Sequence, residues 1–485
     1  MDNLVKHSGQ VYTPEYLVKL ILDEAEYKGK DILRKHCIDN SCGDGAFLIE
    51  IIRRYVNAYQ EQHATLEGVG SELSQYIHGI ELDPQAFQCC VNNVGEVLCK
   101  FGLSSVSIDL INANTLEIRK FDGCMDFVVG NPPYVRVHNL DDNFTRVKKF
   151  AFANGGMTDL YLVFFEIGLR MLSNGGKLCY VTPSSWLNSV AGANMRTYIL
   201  MYRNLLSVID LGHFQAFKAT TYVLISLFRK GKCCEAFTYH EFCPETHAKK
   251  YVCDILYDKV CINGYFYLAK NEILDMLRKI LAKNPTKYVS VKNGFATLAD
   301  KVFIGNGFPF SEFLIPVIKA STGKWYEAFF PYDENGNPIP DDRIFAAKNV
   351  SRYLNAKKNE LLKKSSEDEN PYWYLYGRTQ ALKDVAKEKI SVNTIVKDVK
   401  SLKLHSVPAG CGVYGGLYIL SAIPMDIIAG ILRRQEFMDF IASLKKYKSG
   451  GYYAFNSREL EQYLNFKVAQ LIEDGKLMVG QIGER

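Results

Sequence analysis

The chain lacks most of the features that settle a protein's class at a glance. Its 13 cysteines include no C-x-x-C pair. The adjacent pairs Cys89-Cys90 and Cys233-Cys234 have the wrong spacing for a tetrahedral metal site, so no metal is expected and the thiols are expected free, as in a reducing cytosol. No uninterrupted apolar run approaches the roughly 18 residues needed to span a bilayer. The start Met1-Asp2-Asn3-Leu4 is no signal peptide, and the expectation is a cytoplasmic protein without membrane association. Excess charge is also scarce: a net +5 over 485 residues permits nucleic-acid binding without arguing for it, because basic residues need only cluster on one face. Internal repeats and low-complexity tracts are missing too.

What is present describes a globular protein, with 48% hydrophobic and 23% charged residues. At 485 residues it is too long for one core, and two or three domains are expected. The 30 tyrosines and 28 phenylalanines suit a protein that stacks bases, although large cores give the same abundance. Alternating patterns fill the first half. A helix is predicted over 16–25, a strand over 37–39, then a turn and a helix with Phe47, Leu48, Ile51 and Ile52 on one face. A strand over 77–82 and a helix over 84–99 follow. The apolar run Phe127-Val128-Val129 reads as a buried parallel strand. A helix over 159–172 should stop at Asn174-Gly175-Gly176, with strands at 177–181 and 222–228 after it. Such alternation implies a doubly wound α/β sheet with ligands at the carboxyl ends of its strands. The pattern breaks into shorter pieces after about residue 235, which predicts one domain over 1–238 and another over 239–485.

The strongest signal is Asn131-Pro132-Pro133-Tyr134, placed directly after Phe127-Val128-Val129-Gly130. An exocyclic amine is a poor nucleophile because its lone pair is delocalised into the ring. Two acceptors that hold its N–H bonds let the nitrogen become tetrahedral. The Asn131 side-chain oxygen and the Pro132 carbonyl can be that pair. Proline stiffens the loop before substrate arrives, and Tyr134 offers a ring for a planar base. Upstream, Asp39-Asn40-Ser41-Cys42-Gly43-Asp44-Gly45 follows a strand and opens a helix, as a nucleotide-binding turn does. No phosphate-binding lysine follows it, so it is not a nucleoside-triphosphate loop. Glu81, at the end of the second strand, is suited to two ribose hydroxyls.

These three pieces together resemble an S-adenosylmethionine-dependent amino-methyltransferase, specifically the N6-adenine DNA methyltransferases with the gamma order of motifs. Gly9-Gln10-Val11-Tyr12-Thr13-Pro14 is similar to the family's N-terminal motif, whose Thr-Pro lies against the methionine end of the cofactor. The resemblance implies cofactor contacts from Tyr12, Thr13, Pro14, Asp39, Ser41, Cys42, Gly43, Glu81, Leu82 and Asn131. Asn114, in Asn112-Ala113-Asn114-Thr115-Leu116, stands where the family usually has an acid, and an amide there can still meet the adenine edge. Asn131, Pro132 and Tyr134 take the catalytic positions. Phe217, in Phe217-Lys218-Ala219-Thr220-Thr221-Tyr222, is preferred over Phe214 for the ring against the target base. The matching motifs span 9–228. The fold implied is a Rossmann-like methyltransferase domain followed by a C-terminal α+β target-recognition domain. The reaction implied is direct methyl transfer to N6 of an adenine flipped out of duplex DNA, with no metal.

For the second half the resemblance gives only a role, target recognition. Arg378 and Gln380, in Tyr372-Trp373-Tyr374-Leu375-Tyr376-Gly377-Arg378-Thr379-Gln380, can read base edges. Lys446 and Lys448 can meet phosphates. Asn456-Ser457-Arg458-Glu459 reads as a capping box opening a helix over 459–464. With the cofactor motif beginning by residue 9 and no nuclease motif downstream, the expectation is a monomeric stand-alone methyltransferase, with duplex DNA and a separately encoded restriction endonuclease as partners. Methylation of a glutamine side chain in a protein, or of RNA adenine, are the rival readings.

Overall fold

In a computed structural model, the structure describes residues 13–136, 144–153, 158–217, 221–282, 286–363 and 371–477. Tyr12 and Lys218 to Thr220 lie outside them. The chain forms two compact units, Met1–Asp275 and Met276–Arg485. The boundary expected at 238 falls within a strand of the first.

The first unit is built on a nine-stranded sheet of order β3-β2-β1-β4-β5-β7-β6-β8-β9. Its strands are β1 (Cys37–Asp39), β2 (Ile77–Glu81), β3 (Asp109–Asn112), β4 (Met125–Gly130), β5 (Leu172–Pro183), β6 (Leu205–Asp210), β7 (Val223–Arg229), β8 (Ala236–Cys243) and β9 (Ala248–Leu256). The first five in that order are parallel, and β7 enters antiparallel between β5 and β6. The main helices are α1 (Glu15–Glu24), α2 (Ala46–Gln62), α3 (Val69–Tyr76), α4 (Pro84–Lys100), α5 (Leu160–Met171) and α6 (Ala193–Tyr202). Every residue of β1 and β2 is buried, as it must be where crossover helices cover both faces of a parallel sheet. A short hairpin, β10 (Cys261–Ile262) with β11 (Tyr265–Phe266), follows the sheet.

Besides β3, α3 and α6, which the sequence reading did not include, three features differ from it. The unit continues past residue 238 because β8 pairs parallel to β6 and β9 antiparallel to β8, extending the same sheet. β6, with the run Leu-Leu-Ser-Val-Ile-Asp between Asn204 and Gly212, is not among the strands read from the sequence. Asn174-Gly175-Gly176 does not end a helix but bulges out of β5. Met125 faces Leu172, yet Phe127 faces Lys177, so the extra residues loop out between these pairs. Their backbone is satisfied elsewhere, with Gly175 N–H donating to the Lys230 carbonyl at 3.0 Å and Lys230 N–H to the Gly176 carbonyl at 2.9 Å.

Helix α5 has ten of its 12 residues buried, the exceptions being Glu166 and Arg170, four positions apart on one face. It lies so close to the sheet that a Cβ at Gly168 would sit 2.3 Å from Leu178 Cδ1 and 2.7 Å from the Tyr180 hydroxyl. That hydroxyl donates to Asn40 Oδ1 at 2.8 Å.

The second unit carries two four-stranded sheets and a three-stranded one. One sheet joins β12 (Val289–Asn293), β20 (Leu417–Ser421), β16 (Lys389–Val392) and β18 (Leu404–Val407). The other joins β13 (Ile304–Gly305), β15 (Lys324–Phe329), β14 (Leu314–Lys319) and β19 (Gly412–Tyr414). The small sheet holds β17 (Ile395–Val396), β22 (Tyr452–Ala454) and β21 (Tyr447–Lys448). Its core is rich in aromatic residues, among them Phe295, Phe303, Phe329, Trp373 and Tyr376. The expected capping box is formed: Asn456 Oδ1 accepts from Glu459 N–H at 3.0 Å, and Glu459 Oε2 from Asn456 N–H at 3.0 Å. It opens a helix over Ser457–Glu473.

Gly168→Ala should destabilise the first unit by about 1–3 kcal/mol, because the added methyl must push Tyr180 off Asn40. Urea unfolding of the purified variant, followed by tryptophan fluorescence and circular dichroism, measures the loss.

Candidate active site

Strands β1 and β4 are parallel neighbours, but the chain leaves β1 towards β2 on one side and β4 towards β5 on the other. Loops from such a pair diverge, and a crevice opens at their carboxyl ends. Here it is a cavity of about 380 Å³. The segments after β1, β2, β3 and β4 form most of its wall, with Leu160 and Phe164 of α5 and Thr13 completing it.

Asp39 closes β1 and is buried. Desolvation, with the nearby charges of Glu81 and Asp44, pushes its carboxyl up to about 8, against a Ser41 backbone bond that lowers it. That bond, from Ser41 N–H to Asp39 Oδ1, is 3.1 Å. The last residue of β4 has to be glycine: a Cβ on Gly130 would lie 2.7 Å from Asp39 Oδ1. Glu81 closes β2, and its two oxygens accept Gly43 N–H at 2.8 Å and Asp83 N–H at 2.9 Å. Asp83 in turn caps α4, accepting from Gln85 and Ala86 N–H, both at 2.9 Å. Burial also raises the Asp44 carboxyl.

The wall therefore carries the carboxyls of Asp39, Asp44, Glu81 and Asp83, and no Lys, Arg or His among the described residues. With no cation to balance them, and with Asp39 held protonated at neutral pH until a positive charge arrives, such carboxyls favour a cationic ligand and disfavour phosphate. Cys42 is also in the wall, its thiol held protonated by the hydrogen bond with Cys90 and by burial.

The Asn131-Pro132-Pro133-Tyr134 loop belongs to the same wall. Asn131 Nδ2 donates to Thr13 Oγ1 at 3.1 Å, and Ser41 Oγ donates to the Asn131 carbonyl at 3.5 Å. The Tyr134 hydroxyl donates to the Val181 carbonyl of β5 at 3.1 Å, and its pKa is pushed up by burial and then by Tyr161. Its ring meets Phe217 edge-on at 6.2 Å and 77°, and Tyr161 at 6.4 Å and 81°. Phe214 packs instead on Tyr16 and Phe242.

The cavity brings together Thr13, Asp39, Ser41, Cys42, Gly43, Glu81, Leu82, Asn114, Asn131, Pro132 and Tyr134 from the sequence-derived set. Asn114 Oδ1 accepts from Leu116 N–H at 3.1 Å. Pro14 is not in the wall; it caps α1, its carbonyl accepting Leu17 and Val18 N–H at 2.9 and 3.1 Å. Phe217 is buried beside Tyr134 rather than in the wall. Tyr12 lies outside the described residues. Sequence reasoning missed Asn40, Asp44, Thr115, Leu160 and Phe164. Asn40 and Asp44 sit inside the turn already singled out, so position alone could have found them. Leu160 and Phe164 belong to a helix whose only polar stripe is Glu166 and Arg170, and its many apolar positions give no sign of which of them border a cavity.

In the second unit, Arg378 and Lys448 are exposed. Gln380 is half-buried and donates through Nε2 to the Gly294 carbonyl at 2.7 Å. Lys446 is ion-paired with Glu459, the last residue of the capping box. Its charge is thus matched within the fold. Of the aromatics near Arg378, Trp373, Tyr374 and Tyr376 are core, and Tyr372 is exposed.

Residues 76–217 match the family model of the Eco57I restriction-modification methylase. The type II restriction enzyme and methyltransferase RM.Eco57I of Escherichia coli is 24% identical over 552 residues, taking in 90% of this chain and 54% of that protein. The type II methyltransferase M.BstVI of Geobacillus stearothermophilus is 26% identical over 56% of this chain and 49% of its own. The chain thus spans about half the length of these curated relatives. The fold is similar to that of the type IIL restriction-modification enzyme MmeI, solved in complex with DNA, with a TM-score of 0.65 at 14% identity over 94% of this chain and 68% of MmeI.

The raised Asp39 pKa has a definite sign. A carboxyl that ionises at about 8 in the fold, against an ordinary 3.8, contributes stability below pH 4 that declines as pH rises towards 8. An amide in its place cannot ionise. Asp39→Asn should therefore leave the unliganded melting temperature unchanged near pH 4 and raise it by several degrees at pH 8.5, within a ceiling on the order of 5 kcal/mol. Calorimetric melts across that range check it.

Proposed function

We propose that this chain, which matches the Eco57I restriction-modification methylase family over residues 76–217, transfers a methyl group from S-adenosylmethionine to N6 of an adenine in duplex DNA. The observation that carries this reading is one cavity whose wall holds the Asn131-Pro132-Pro133-Tyr134 loop together with four carboxyls and no cation among the described residues.

The cavity's chemistry suits the cofactor. S-adenosylmethionine supplies, when bound, a methyl group on a sulfonium centre, and its net charge is positive. A wall rich in carboxyls favours that ligand over a phosphate-bearing nucleotide. Glu81 spends one lone pair of each oxygen on a backbone N–H, which leaves acceptors for two ribose hydroxyls. Leu82, 57% exposed at the cavity's edge, and Asn114 supply an apolar surface and an amide for a purine.

For the target, the Asn131 oxygen and the Pro132 carbonyl accept the two N–H bonds of the amine and favour the positive charge that develops on nitrogen during transfer. Tyr134, tied to Val181 and braced by Phe217, keeps its ring in place for the base to rest on. Adenine N6 cannot reach this loop from inside a duplex, so the base enters extruded. The second unit serves target recognition. Arg378 is its base-edge candidate and Lys448 its phosphate candidate, and Gln380, its nitrogen engaged, offers its oxygen as an acceptor. Lys446 contributes through the fold rather than to phosphate.

Incubation with radiolabelled methyl donor and, separately, duplex DNA, RNA and protein should label only the DNA, as N6-methyladenine. Asn131→Ala should lower that rate by about 10²–10³, with donor binding by titration calorimetry within about threefold of wild type. Label confined to RNA or protein would overturn the proposal.

A further inference from the structure

We infer that the exposed face of the helix Lys348–Leu362, in the second unit, lies in the major groove of duplex DNA, with Arg352 and Asn355 reading base edges. The inference rests on DNA being the substrate proposed above. It assigns the reading to a helix that no sequence motif marks.

The helix is 15 residues long and sinks Val350, Leu354 and Leu361 into the core, each no more than 1% exposed. The Tyr353 hydroxyl adds a tie, donating to the Val302 carbonyl at 2.8 Å. At about 100° per residue, the side turned away from those three carries Lys348, Arg352, Asn355, Asn359 and Lys363. All five are exposed. The stripe is about 22 Å long and rigidly presented.

A helix face that merely meets water mixes its signs, as Lys19 and Glu15 do in α1 at 2.8 Å. This one holds three cations, two amides and no acid. The helix's single acid, Glu360, lies on the flank and pairs with Lys357 at 3.7 Å. The arrangement gains the helix nothing. Lys348 stands at the positive end of the macrodipole, in a first turn without an acid. Lys348 and Arg352, four positions apart, repel each other. Cations that work against their own helix are accounted for by a polyanion that meets them.

Duplex DNA is the polyanion whose shape fits. Its major groove, about 12 Å wide, admits an α-helix, whereas the deep, narrow major groove of double-stranded RNA does not. A membrane would need the apolar side, which the core already holds. Arginine pairs through two hydrogen bonds with guanine O6 and N7, and asparagine with adenine N6 and N7. Arg352 and Asn355 are about 4.5 Å apart along the axis, near the roughly 3.4 Å step between base pairs, so they address neighbouring pairs. Asn355 shares one hydrogen bond with Ser351, Nδ2 to Oγ at 3.4 Å. Either orientation of the amide leaves an oxygen lone pair and an N–H for a base. Lys348 and Lys363, at the two ends of the stripe, meet phosphates of the strands that border the groove.

The test is selection of bound duplexes from a randomised library by the purified protein, read by sequencing, with no methyl donor present. Wild type should select one motif. Arg352→Ala should relax the preference for guanine at one position about tenfold, and Asn355→Ala the preference for adenine at a neighbouring position to a similar extent. Arg352→Lys, which keeps the charge and loses the fork, should relax the same position while the salt dependence holds. Lys348→Ala and Lys363→Ala should keep the motif, weaken all duplexes alike, and each lower the slope of log affinity against log salt by about 1. Lys357→Ala, on the flank, should change neither.

An Arg352→Ala, Asn355→Ala double variant that selects the wild-type motif with undiminished preference overturns the inference, as does a wild type that selects no duplex motif. Selection needs no methyl transfer. A protein that selects a motif but labels no adenine would therefore sink the proposed reaction, and the variants would still judge this face of the helix.

Discussion

The site depends on a constraint of chain topology. Two parallel strands lie side by side, and their chains must depart to opposite sides, so nothing can fill the gap above their carboxyl ends. Asp39 and Gly130 stand at the rims of that gap. They are close enough that a side chain at 130 would occupy the space of the Asp39 carboxylate. The acid turn and the proline loop are therefore one mechanical unit, although 92 positions separate Asp39 from Asn131 in the numbering. Ser41 reinforces the join, since it bonds both the Asp39 carboxylate and the Asn131 carbonyl.

Much of this was legible in the sequence because each motif is a contiguous segment at the end of a strand. The turn from Asp39, the acid Glu81 and the proline loop carry their own local chemistry, and parallel topology collects them on one edge. What was not legible depended on distant partners. The Asn-Gly-Gly segment reads as a helix stop until its backbone partner at Lys230 is known. Strand β8 belongs to the first unit only through its pairing with β6. Lys446 reads as a free cation, and the fold gives its charge to Glu459. The aromatic run at 372–376 reads as a stacking surface, and most of it is core.

Charge divides the labour of the proposed reaction. A polyanionic backbone is unwelcome at a wall of carboxyls, which suits a cavity that should admit a neutral base and a cationic donor but no phosphate. Attraction to the duplex must then come from elsewhere. A net charge of +5 supplies it only if basic residues such as Arg378 and Lys448 are gathered on the surface that meets DNA. The mild overall balance and the acidic cavity are thus compatible.

The missing side chain at Gly168 has a consequence beyond local packing. Phe164, in the cavity wall, lies one helical turn before it on the same face of α5. The depth to which the helix sinks onto the sheet is fixed at 168, and the wall residues ride with it. Cavity width is then governed by a residue that never touches the contents. In this architecture, a catalyst with a roomier or tighter chamber is reached by changing a spacer behind the wall and leaving the wall's own chemistry intact.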